Sequence, residues 1–596
     1  MYRFIKKPMI LLDRYGLVLL LAASLFAFVM ACLETHTAST ASLESILGAM
    51  EGALVRNVQD RGLWTKAVNI LVSLTMAWAA IRIYLASAGF KWDEFAARHL
   101  ERDHIVIVGG PTQRSGKSAN AGNTVMATEL ALLLARTHRV VLCVPAPGDG
   151  ILPKLWDAGV IVLKKEFTAS EVLEASSASR ARLLIAMRED IGENIALARL
   201  ALSPLSGSAS LQCMCLVSPA AGRSGIQLKD YLEPDTLSRV RVFSDAELIA
   251  RRMVRDYPPD AVVERTDQGA HVLLIGMGSI GQSILLQLAR IGHYRSGLKM
   301  KVTVVDRHAQ ARWHELTRTH PAIEDWLQVV VEEKAIESIG RDELDRWLND
   351  SRPINVGYIC TKDEVANLRI ARLLLHEFAS PQEAPLSAAP QVVVLDPPGG
   401  CLLQDLAGQH EYRSHLKLFS LFEQDARQDG LQPGQGFLWA LDDRRARLLH
   451  EDYCAVDDAR CAKDPGASKG VANQPWDQLP ETYREANRAS ADHFDVKMRA
   501  VGRRIVPAGT AAEAPLTTEE LEILARMEHD RWWADRALDG WKFGDPRDNV
   551  RKLHPNMVPY DELSEPVKQL DRDNILHIIE ILKGTSGVLA RVPSNS

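Results

Sequence analysis

Apolar positions divide the chain into three regions with different patterns. Two long apolar runs come first, at residues 16–33 and 67–90. Short apolar runs then alternate with stretches of helical spacing, and after residue 445 the helical spacing continues without the short runs. Alternating strands and helices are typical of a doubly wound parallel sheet. The predicted segments are a leader (1–14), a membrane segment (15–90), a linker (91–102), two α/β domains (103–260 and 269–445) and a mostly α-helical C-terminal domain (446–596).

The two long runs are predicted to cross a membrane. Residues 16–33 carry no charge and residues 67–90 carry one, and each run is long enough to span the hydrocarbon core of a bilayer. The leader is rich in Lys and Arg, which places the N-terminus and, after two crossings, the rest of the chain in the cytoplasm. We therefore expect a multi-pass protein of the inner (cytoplasmic) membrane, with an amphipathic extracytoplasmic helix between the spans. That helix is followed by no run of the type TVGYG, so a potassium-selective filter is not predicted.

A glycine-rich turn follows the apolar run Val272–Ile275. After it come a helical pattern and a second apolar run, Val302–Val305, which ends at an acid. In a dinucleotide-binding fold the first glycine allows the tight turn, the second admits a pyrophosphate and the third lets helix and strand pack closely, while the acid binds a ribose. The alternative is an empty fold of the same kind, whose glycines serve packing alone. The predicted nucleotide-binding residues are Gly276, Gly278, Ser279, Ile280, Gly281, Asp306 and Arg307.

Residues 103–260 repeat the order of strands and helices of residues 269–445. The repetition predicts two tandem Rossmann domains, each with a doubly wound parallel sheet. The first copy lacks the glycine pattern, and its second strand runs into Pro145 without an acid at its end. Its run Gly116-Lys117-Ser118 is similar to a phosphate-binding loop, but the spacing from the preceding glycines is too long. For this copy, phosphate binding and a degenerate nucleotide site both stay open.

Both copies resemble the RCK (Trk-type NAD-binding) regulatory domains of potassium channels and transporters. The resemblance rests on Gly159-Val-Ile-Val and Glu193-Asn194 in the first copy, and on the glycines, Asp306 and the helix with Glu364 and Asn367 in the second. It implies NAD(H) or another adenine nucleotide in the second domain, and a cytosolic ring of Rossmann units that acts on membrane helices. Two spans per chain cannot enclose a pore, so we expect a homo-oligomer, and the resemblance favours a tetramer.

The C-terminal region carries four spaced motifs. They are Glu528-His529-x-Arg531-Trp532, Gly540-Trp541-x-x-Gly544, His554-Pro555-x-x-Val558-Pro559-Tyr560-x-Glu562-Leu563 and Asp571-Arg572-Asp573. In this order they resemble the ryanodine-receptor repeat (RyR domain), a small helical module. The stretch Pro475-Trp476-x-x-Leu479-Pro480 with Asn487-Arg488 is similar to Val558-Pro559-Tyr560-x-Glu562-Leu563 with Asp571-Arg572-Asp573, so we predict two related halves. Residues 455–475 and 507–515 are rich in Ala, Gly, Pro and Asp and are predicted to be loops.

Arginines and aromatic residues are dense in this module. Guanidinium groups and aromatic faces together suit a ligand that carries a base and phosphates, such as a nucleotide second messenger. The alternative is that the tryptophans belong to the core and that the arginines pair with nearby acids. His529 is predicted to be structural, because no nucleophile or metal partner is spaced around it. The predicted ligand-site residues are Arg531, Trp532, Trp541, Arg547 and Tyr560.

Composition and the missing motifs limit the function further. The net charge of −6 gives no basic field for nucleic acid, and the eight cysteines show no metal-binding spacing. No acid or base is placed beside the glycine turn for hydride transfer, so we expect neither an oxidoreductase nor another enzyme, and no metal site. The leading hypothesis is a ligand-gated membrane protein, an ion channel or a regulator of ion transport. The alternative is a membrane-anchored nucleotide sensor or scaffold without a pore.

Overall fold

The structure is a computed structural model. It describes residues 93–110, 122–147, 150–165, 167–203, 210–217, 236, 239–260, 269–361, 363–378, 390–396, 403, 415–421, 443–464, 466 and 468–591. The predicted leader and membrane segment lie outside the described residues, as does the loop with Gly116-Lys117-Ser118. Among the residues that are described, no helix is both long enough and apolar enough to cross a membrane.

The first six strands form one sheet. They are β1 (Ile105–Gly110), β2 (Val140–Cys143), β3 (Ile161–Leu163), β4 (Leu183–Arg188), β5 (Gln212–Leu216) and β6 (Val240–Phe243). Their order, β3-β2-β1-β4-β5-β6, is that of a Rossmann fold. The helices of this part are α1 (Gly122–Leu134), α2 (Leu152–Asp157), α3 (Ala169–Ala175), α4 (Ile191–Ala201) and α5 (Asp245–Asp256).

The next six strands form a second sheet of the same kind. They are β7 (His271–Ile275), β8 (Met300–Asp306), β9 (Leu327–Glu333), β10 (Val356–Ile359), β11 (Gln391–Leu395) and β12 (Leu416–Phe419). The order is β12-β11-β10-β7-β8-β9, and every neighbouring pair is parallel. The helices are α6 (Ser279–Ile291), α7 (Ala309–Thr319), α8 (Ile323–Trp326), α9 (Arg341–Leu348) and α10 (Glu364–Phe378).

The central strands explain why the sequence shows short apolar runs. Every residue of β1 and of β7 is buried, since helices cover both faces of a doubly wound sheet and leave no face for polar side chains. Counted from its own first strand, each sheet has the same order, 3-2-1-4-5-6. The prediction of two tandem parallel Rossmann-type sheets is therefore confirmed.

The C-terminal module consists of four helices and short strands. The helices are α11 (Arg444–Lys463), α12 (Glu481–Ala500), α13 (Thr518–Leu538) and α14 (Glu565–Ser586). The strands are β13 (Arg503–Val506), which pairs antiparallel with β16 (Val588–Arg591), and β14 (Lys542–Phe543), which pairs with β15 (Leu553–His554). The contacts divide the described residues into two compact units. The first unit contains the residues up to Glu189 together with Ala196–Cys213, and the second contains Asp190–Ile195 together with the residues from Met214 onward. The second sheet and the module lie in the same unit.

The predicted loop at 455–475 is wrong in its first part, because α11 continues to Lys463. The acids that suggested a loop are used inside the structure. The carboxylate of Asp457 accepts hydrogen bonds from the side chain of Asn473 and the backbone N–H of Gly470, and it pairs with Arg460 one turn later. These contacts place the side chain of Asp457 against residues 470–473 and make a helix compatible with the acidic composition.

Candidate functional site

The glycine turn between β7 and α6 is built so that two of its glycines cannot carry a side chain. Gly276 has a φ of +97°, and a Cβ there would lie 3.0 Å from the Cγ2 of Thr361. A Cβ on Gly281 would overlap the carbonyl oxygen of Gly276 and lie 3.1 Å from its carbonyl carbon. The first glycine therefore makes the turn, and the third allows α6 to begin directly against it.

The second glycine faces open space. Gly278 is the residue before α6, and a Cβ built on it would meet no atom within 4 Å. No side chain caps α6 at Gly278, so the N–H groups of its first turn remain available to an anion. Ser279 is exposed and Ile280 is half-buried at the same turn. The turn thus offers a backbone cradle that is open where a pyrophosphate would bind.

Asp306 ends β8 and faces this turn. It is 6% exposed, and its carboxylate accepts hydrogen bonds from the backbone N–H groups of Met277 (2.9 Å) and His308 (2.8 Å). The side chain of Arg312 donates a third at 2.6 Å. A carboxylate can accept about four hydrogen bonds, so one position is left for a ribose hydroxyl. Asp306 therefore fixes the geometry of the turn as well as being placed to bind a ligand.

Two arginines lie near this acid and differ in their contacts. Arg307, which the sequence placed in the site, is exposed and pairs with Glu337 at 2.9 Å. Arg312, which the sequence reasoning missed, pairs with Asp306 from the first turns of α7 with its side chain 35% exposed. The only sequence signal for Arg312 is its position six residues after Asp306, in the first turns of the helix predicted to follow that strand. The structure therefore places a cation, Arg312, directly beside the glycine turn.

The first Rossmann-type sheet has a different turn. Gly110 has a φ of +112°, and a Cβ on it would lie 2.7 Å from the Cδ of Pro145. Pro145 follows the second strand of this sheet, whereas the second strand of the other sheet ends at Asp306. A Cβ on Gly109 would lie 2.6 Å from the Cβ of Ala127 in α1. These glycines are thus required by packing, and the described part of this turn offers no acid for a ribose.

The first half of the C-terminal module is a hairpin of α11 and α12. Pro475 leads into a single 3-10 turn that begins at Trp476 and precedes α12. The guanidinium of Arg447 lies 5.8 Å from the centre of the Trp476 ring. His450 Nε2 donates to the carbonyl of Gln474 at 2.7 Å. Arg488, two turns into α12, pairs with Glu481, the first residue of that helix.

The second half, formed by α13 and α14, repeats this construction. Tyr560 begins the corresponding 3-10 turn, and the guanidinium of Arg526 lies 4.9 Å from its ring centre. His529 Nε2 donates to the carbonyl of Val558, two residues before the ring, at 2.8 Å. Arg572 again pairs with an acid seven residues earlier. The predicted likeness of the two halves therefore extends to their structure, and His529 has the structural role that the sequence predicts.

Three charged side chains are buried between these hairpins. Lys497 is fully buried, Glu528 is 2% exposed and Arg531 is 3% exposed. The carboxylate of Glu528 lies 2.5 Å from Lys497 Nζ and 2.9 Å from Arg531 Nη2. Burial opposes ionisation of this acid, but the two cations hold the pKa of Glu528 well below its usual range. Arg531 therefore lies in an internal ion pair, as in the alternative interpretation, and not on the surface.

The other predicted ligand residues divide between core and surface. Tyr560 is 2% exposed and belongs to the core of the second hairpin, and Trp541 is also buried, with 7% of its surface exposed. The imidazole of His554 lies between Trp532, at 4.9 Å between ring centres, and Trp541, at 6.3 Å. Arg547 lies 6.0 Å from the centre of the Trp541 ring. The structure thus brings Trp532, Trp541 and Arg547 together around His554, a motif residue that was not predicted to belong to the ligand site.

The module packs on the same helix that carries the glycine turn. Toward the C-terminal end of α6, Gln287 donates to Asp492 at 3.1 Å, and Arg290 lies 3.8 Å from Asp535. Just after α6, the carbonyl of His293 accepts a hydrogen bond from His493 at 3.0 Å. Helix α6 therefore contacts the glycine turn at one end and α12 and α13 of the module at the other.

The strand order and the glycine turn define a chain with two Rossmann-type domains followed by a helical module. Residues 515–589 match the family model of the RyR domain, so the recognition of that module from its motifs is confirmed. Among solved structures, the chain is similar to GsuK bound to ADP, with 16% identity and a TM-score of 0.33, over 70% of this chain and 95% of that one. A subunit of dipicolinate synthase from Bacillus halodurans matches with 13% identity and a TM-score of 0.20, over 57% of this chain and 96% of that one.

Proposed function

We propose that this chain is a nucleotide-responsive regulator of membrane transport. In this proposal NAD(H) or another adenine nucleotide binds at the turn of the second Rossmann-type domain, with its pyrophosphate at Gly278–Gly281 and a ribose at Asp306. The observation that carries it is the open space at Gly278 in front of an uncapped helix, next to an acid with remaining hydrogen-bonding capacity. The resemblance of both domains to RCK regulators supports the transport role.

Helix α6 supplies the mechanical connection. A nucleotide at its N-terminal end and a ligand of the RyR domain act on the same rigid element, because the module packs on the C-terminal end of that helix. Either ligand regulates the protein to the extent that it binds two arrangements of this unit with different affinity. The proposal assigns the chain no catalytic reaction.

The membrane part of the proposal rests on the sequence. The two apolar runs anchor the chain in the cytoplasmic membrane, and a homo-oligomer, with a tetramer favoured, places several such pairs around one axis. The finer proposal is an ion channel or an ion-transport regulator that opens in response to nucleotide. The alternative is a membrane-anchored nucleotide sensor or scaffold without a pore. Ion-flux recordings from vesicles that contain the purified chain, with and without ADP or NADH, separate the two.

The nucleotide site is tested by Asp306→Ala. Loss of the ribose hydrogen bonds should weaken binding of ADP or NADH to the full-length, detergent-solubilised protein by about 1–3 kcal/mol. Asp350→Asn is a control, because Asp350 also pairs with a cation, Lys301. Lys301 lies at the N-terminal end of β8, whereas Asp306 lies at its C-terminal end, beside the glycine turn. Unchanged nucleotide affinity in Asp306→Ala, measured by calorimetry, would refute the assignment of Asp306.

A further inference from the structure

We propose that the surface of the RyR domain around Trp541 is an anion site for the phosphate of a nucleotide, with Arg536 and Arg547 as its ligands. This inference deepens the proposed ligand-sensing role of the module and rests on it. We refer to Tyr483, Arg536, Trp541, Arg547 and His554 as the Trp541 cluster. Tyr483, Arg536 and His554 were not among the predicted ligand-site residues, although His554 begins the third of the spaced motifs.

The first argument is that the arginines of the cluster differ from others in the module. Many of those are neutralised by carboxylates, as at Arg488, Arg499, Arg503, Arg526, Arg531 and Arg572. Among the residues that the structure describes, neither Arg536 nor Arg547 has a carboxylate within ion-pair distance. Their charge is therefore available to an anion.

The second argument is that both guanidinium groups are held in place. Arg536 lies 5.5 Å from the centre of the Trp541 ring and 5.4 Å from that of Tyr483. Arg547 lies 6.0 Å from the Trp541 ring, and its Nε donates to Asn549 at 2.9 Å. A guanidinium that is already ordered on an aromatic ring loses less conformational entropy when it binds a phosphate. The Trp541 ring thus orders two cations, each with its guanidinium carbon within 6.0 Å of the ring centre.

The third argument is the electrostatic state of His554. Burial, and next the charges of Arg547 and Arg536, lower the pKa of His554 to about 4. Its Nδ1 accepts the backbone N–H of Asn556 at 3.1 Å, so the neutral ring carries its proton on Nε2 and can donate a hydrogen bond there. A neutral N–H donor on His554, close to the positive charges of Arg547 and Arg536, suits an anionic acceptor.

The nearby acids do not cancel this field. Asp539 accepts a hydrogen bond from Trp541 Nε1 at 3.2 Å and lies 3.4 Å from Lys552. Asp548 lies 3.8 Å from Arg551 and caps its own loop through backbone N–H groups. Asp535, which interacts electrostatically with Arg536, also lies 3.8 Å from Arg290. Each of these three acids therefore has a cationic partner outside the cluster.

Aromatic faces around the cluster favour a nucleotide over a simple anion. Trp532 and Tyr483 are half-buried, so part of each ring is accessible. Planar bases stack on such side chains. A ligand with a base and at least one phosphate would use both parts of this surface.

Photolabelling of the full-length, detergent-solubilised protein with 8-azido-ADP, followed by peptide mapping, tests the inference. We expect label on peptides from 532–554, with at least about tenfold less after Arg536→Gln/Arg547→Gln, the loss expected for charge-assisted hydrogen bonds. Arg504→Gln, which removes an exposed arginine elsewhere in the module, should label like the wild type. The compound 8-azidoadenosine, which lacks phosphates, should label these peptides far less than 8-azido-ADP.

The outcomes separate this inference from the proposed nucleotide site in the Rossmann-type domain. Label on peptides from 276–312 reports the glycine turn and should persist in the double variant. Label at 532–554 without label at 276–312 would overturn the Rossmann proposal and leave the inference intact. Label at the turn alone, or equal labelling of 532–554 in the double variant and in Arg504→Gln, would overturn the inference.

Discussion

Gly278 and Gly281 lie three residues apart in the same turn, yet adding one methyl group to each should have opposite consequences. A Cβ on Gly281 would lie 3.1 Å from the carbonyl carbon of Gly276 and overlap its oxygen, whereas ordinary carbon contacts are about 3.5–4.0 Å. Overpacking of this kind costs about 1–3 kcal/mol, and more where the neighbour is backbone. Alanine gains back about 1 kcal/mol of helix propensity. We therefore expect Gly281→Ala to destabilise the start of α6 by about 2 kcal/mol.

Gly278→Ala should leave stability within about 1 kcal/mol, because the new methyl enters open space at a φ of −70° and reduces the entropy of the unfolded chain. The same methyl occupies the position proposed for the pyrophosphate and should weaken ADP binding. Hydrogen exchange of the amides of α6 measures the first quantity, with about a tenfold change in protection for each 1.4 kcal/mol. Calorimetry with ADP measures the second. Wild-type exchange in Gly281→Ala, or undiminished ADP affinity in Gly278→Ala, would refute the reasoning.

Two further predictions concern buried charge in the second unit. Glu528→Gln leaves Lys497 and Arg531 buried without a counter-charge and should lower the free energy of unfolding by about 3–5 kcal/mol. Urea unfolding followed by tryptophan fluorescence measures this change. As a control, Asp561→Asn breaks an exposed ion pair and should lower the free energy of unfolding by less than about 1 kcal/mol. Desolvation of the half-buried imidazole lowers the pKa of His293 from 6.5 to about 4, so the unfolded chain binds a proton more readily. The contribution of this imidazole to stability should be constant above pH 6.5 and fall by up to about 3 kcal/mol as the pH decreases to 4. A difference in stability between the wild type and His293→Gln that does not change over this range would contradict the desolvation of the imidazole.

Local pattern predicted much of the fold because fully buried parallel strands need uninterrupted apolar runs. Val272–Ile275 was predicted as a strand and the structure has His271–Ile275, with the histidine side chain satisfied by Thr303 and by the carbonyl of Arg352. The strand order followed from the repetition of strands and helices. By contrast, the C-terminal part of α11 was predicted as a loop, because several partners of its acids lie in residues 469–473, which pack back on the helix.

The sites were predictable only where function requires a backbone shape. The glycines of the second turn follow a spacing that the geometry of a βα turn imposes, so the sequence alone could indicate them. Side-chain partnerships across helices leave no such spacing. Arg531 could not be assigned to the core, because its position depends on Lys497, which comes from another helix. Arg536 belongs to the predicted arginine cluster but was not assigned to the ligand site, since its ring partner Tyr483 lies on α12.

The two hairpins of the C-terminal module share a sequence signature. The family match covers residues 515–589 and so includes the signature of the second hairpin but not that of the first. Both read Pro-aromatic-Asp-x-Leu-x-Glu followed seven positions later by Arg, at Pro475–Arg488 and Pro559–Arg572. The residues that the two halves share form a 3-10 turn and an ion pair at the beginning of the helix that follows it. Most residues between these positions differ. Searches that use this spacing in place of overall similarity should detect diverged halves of such modules in other chains.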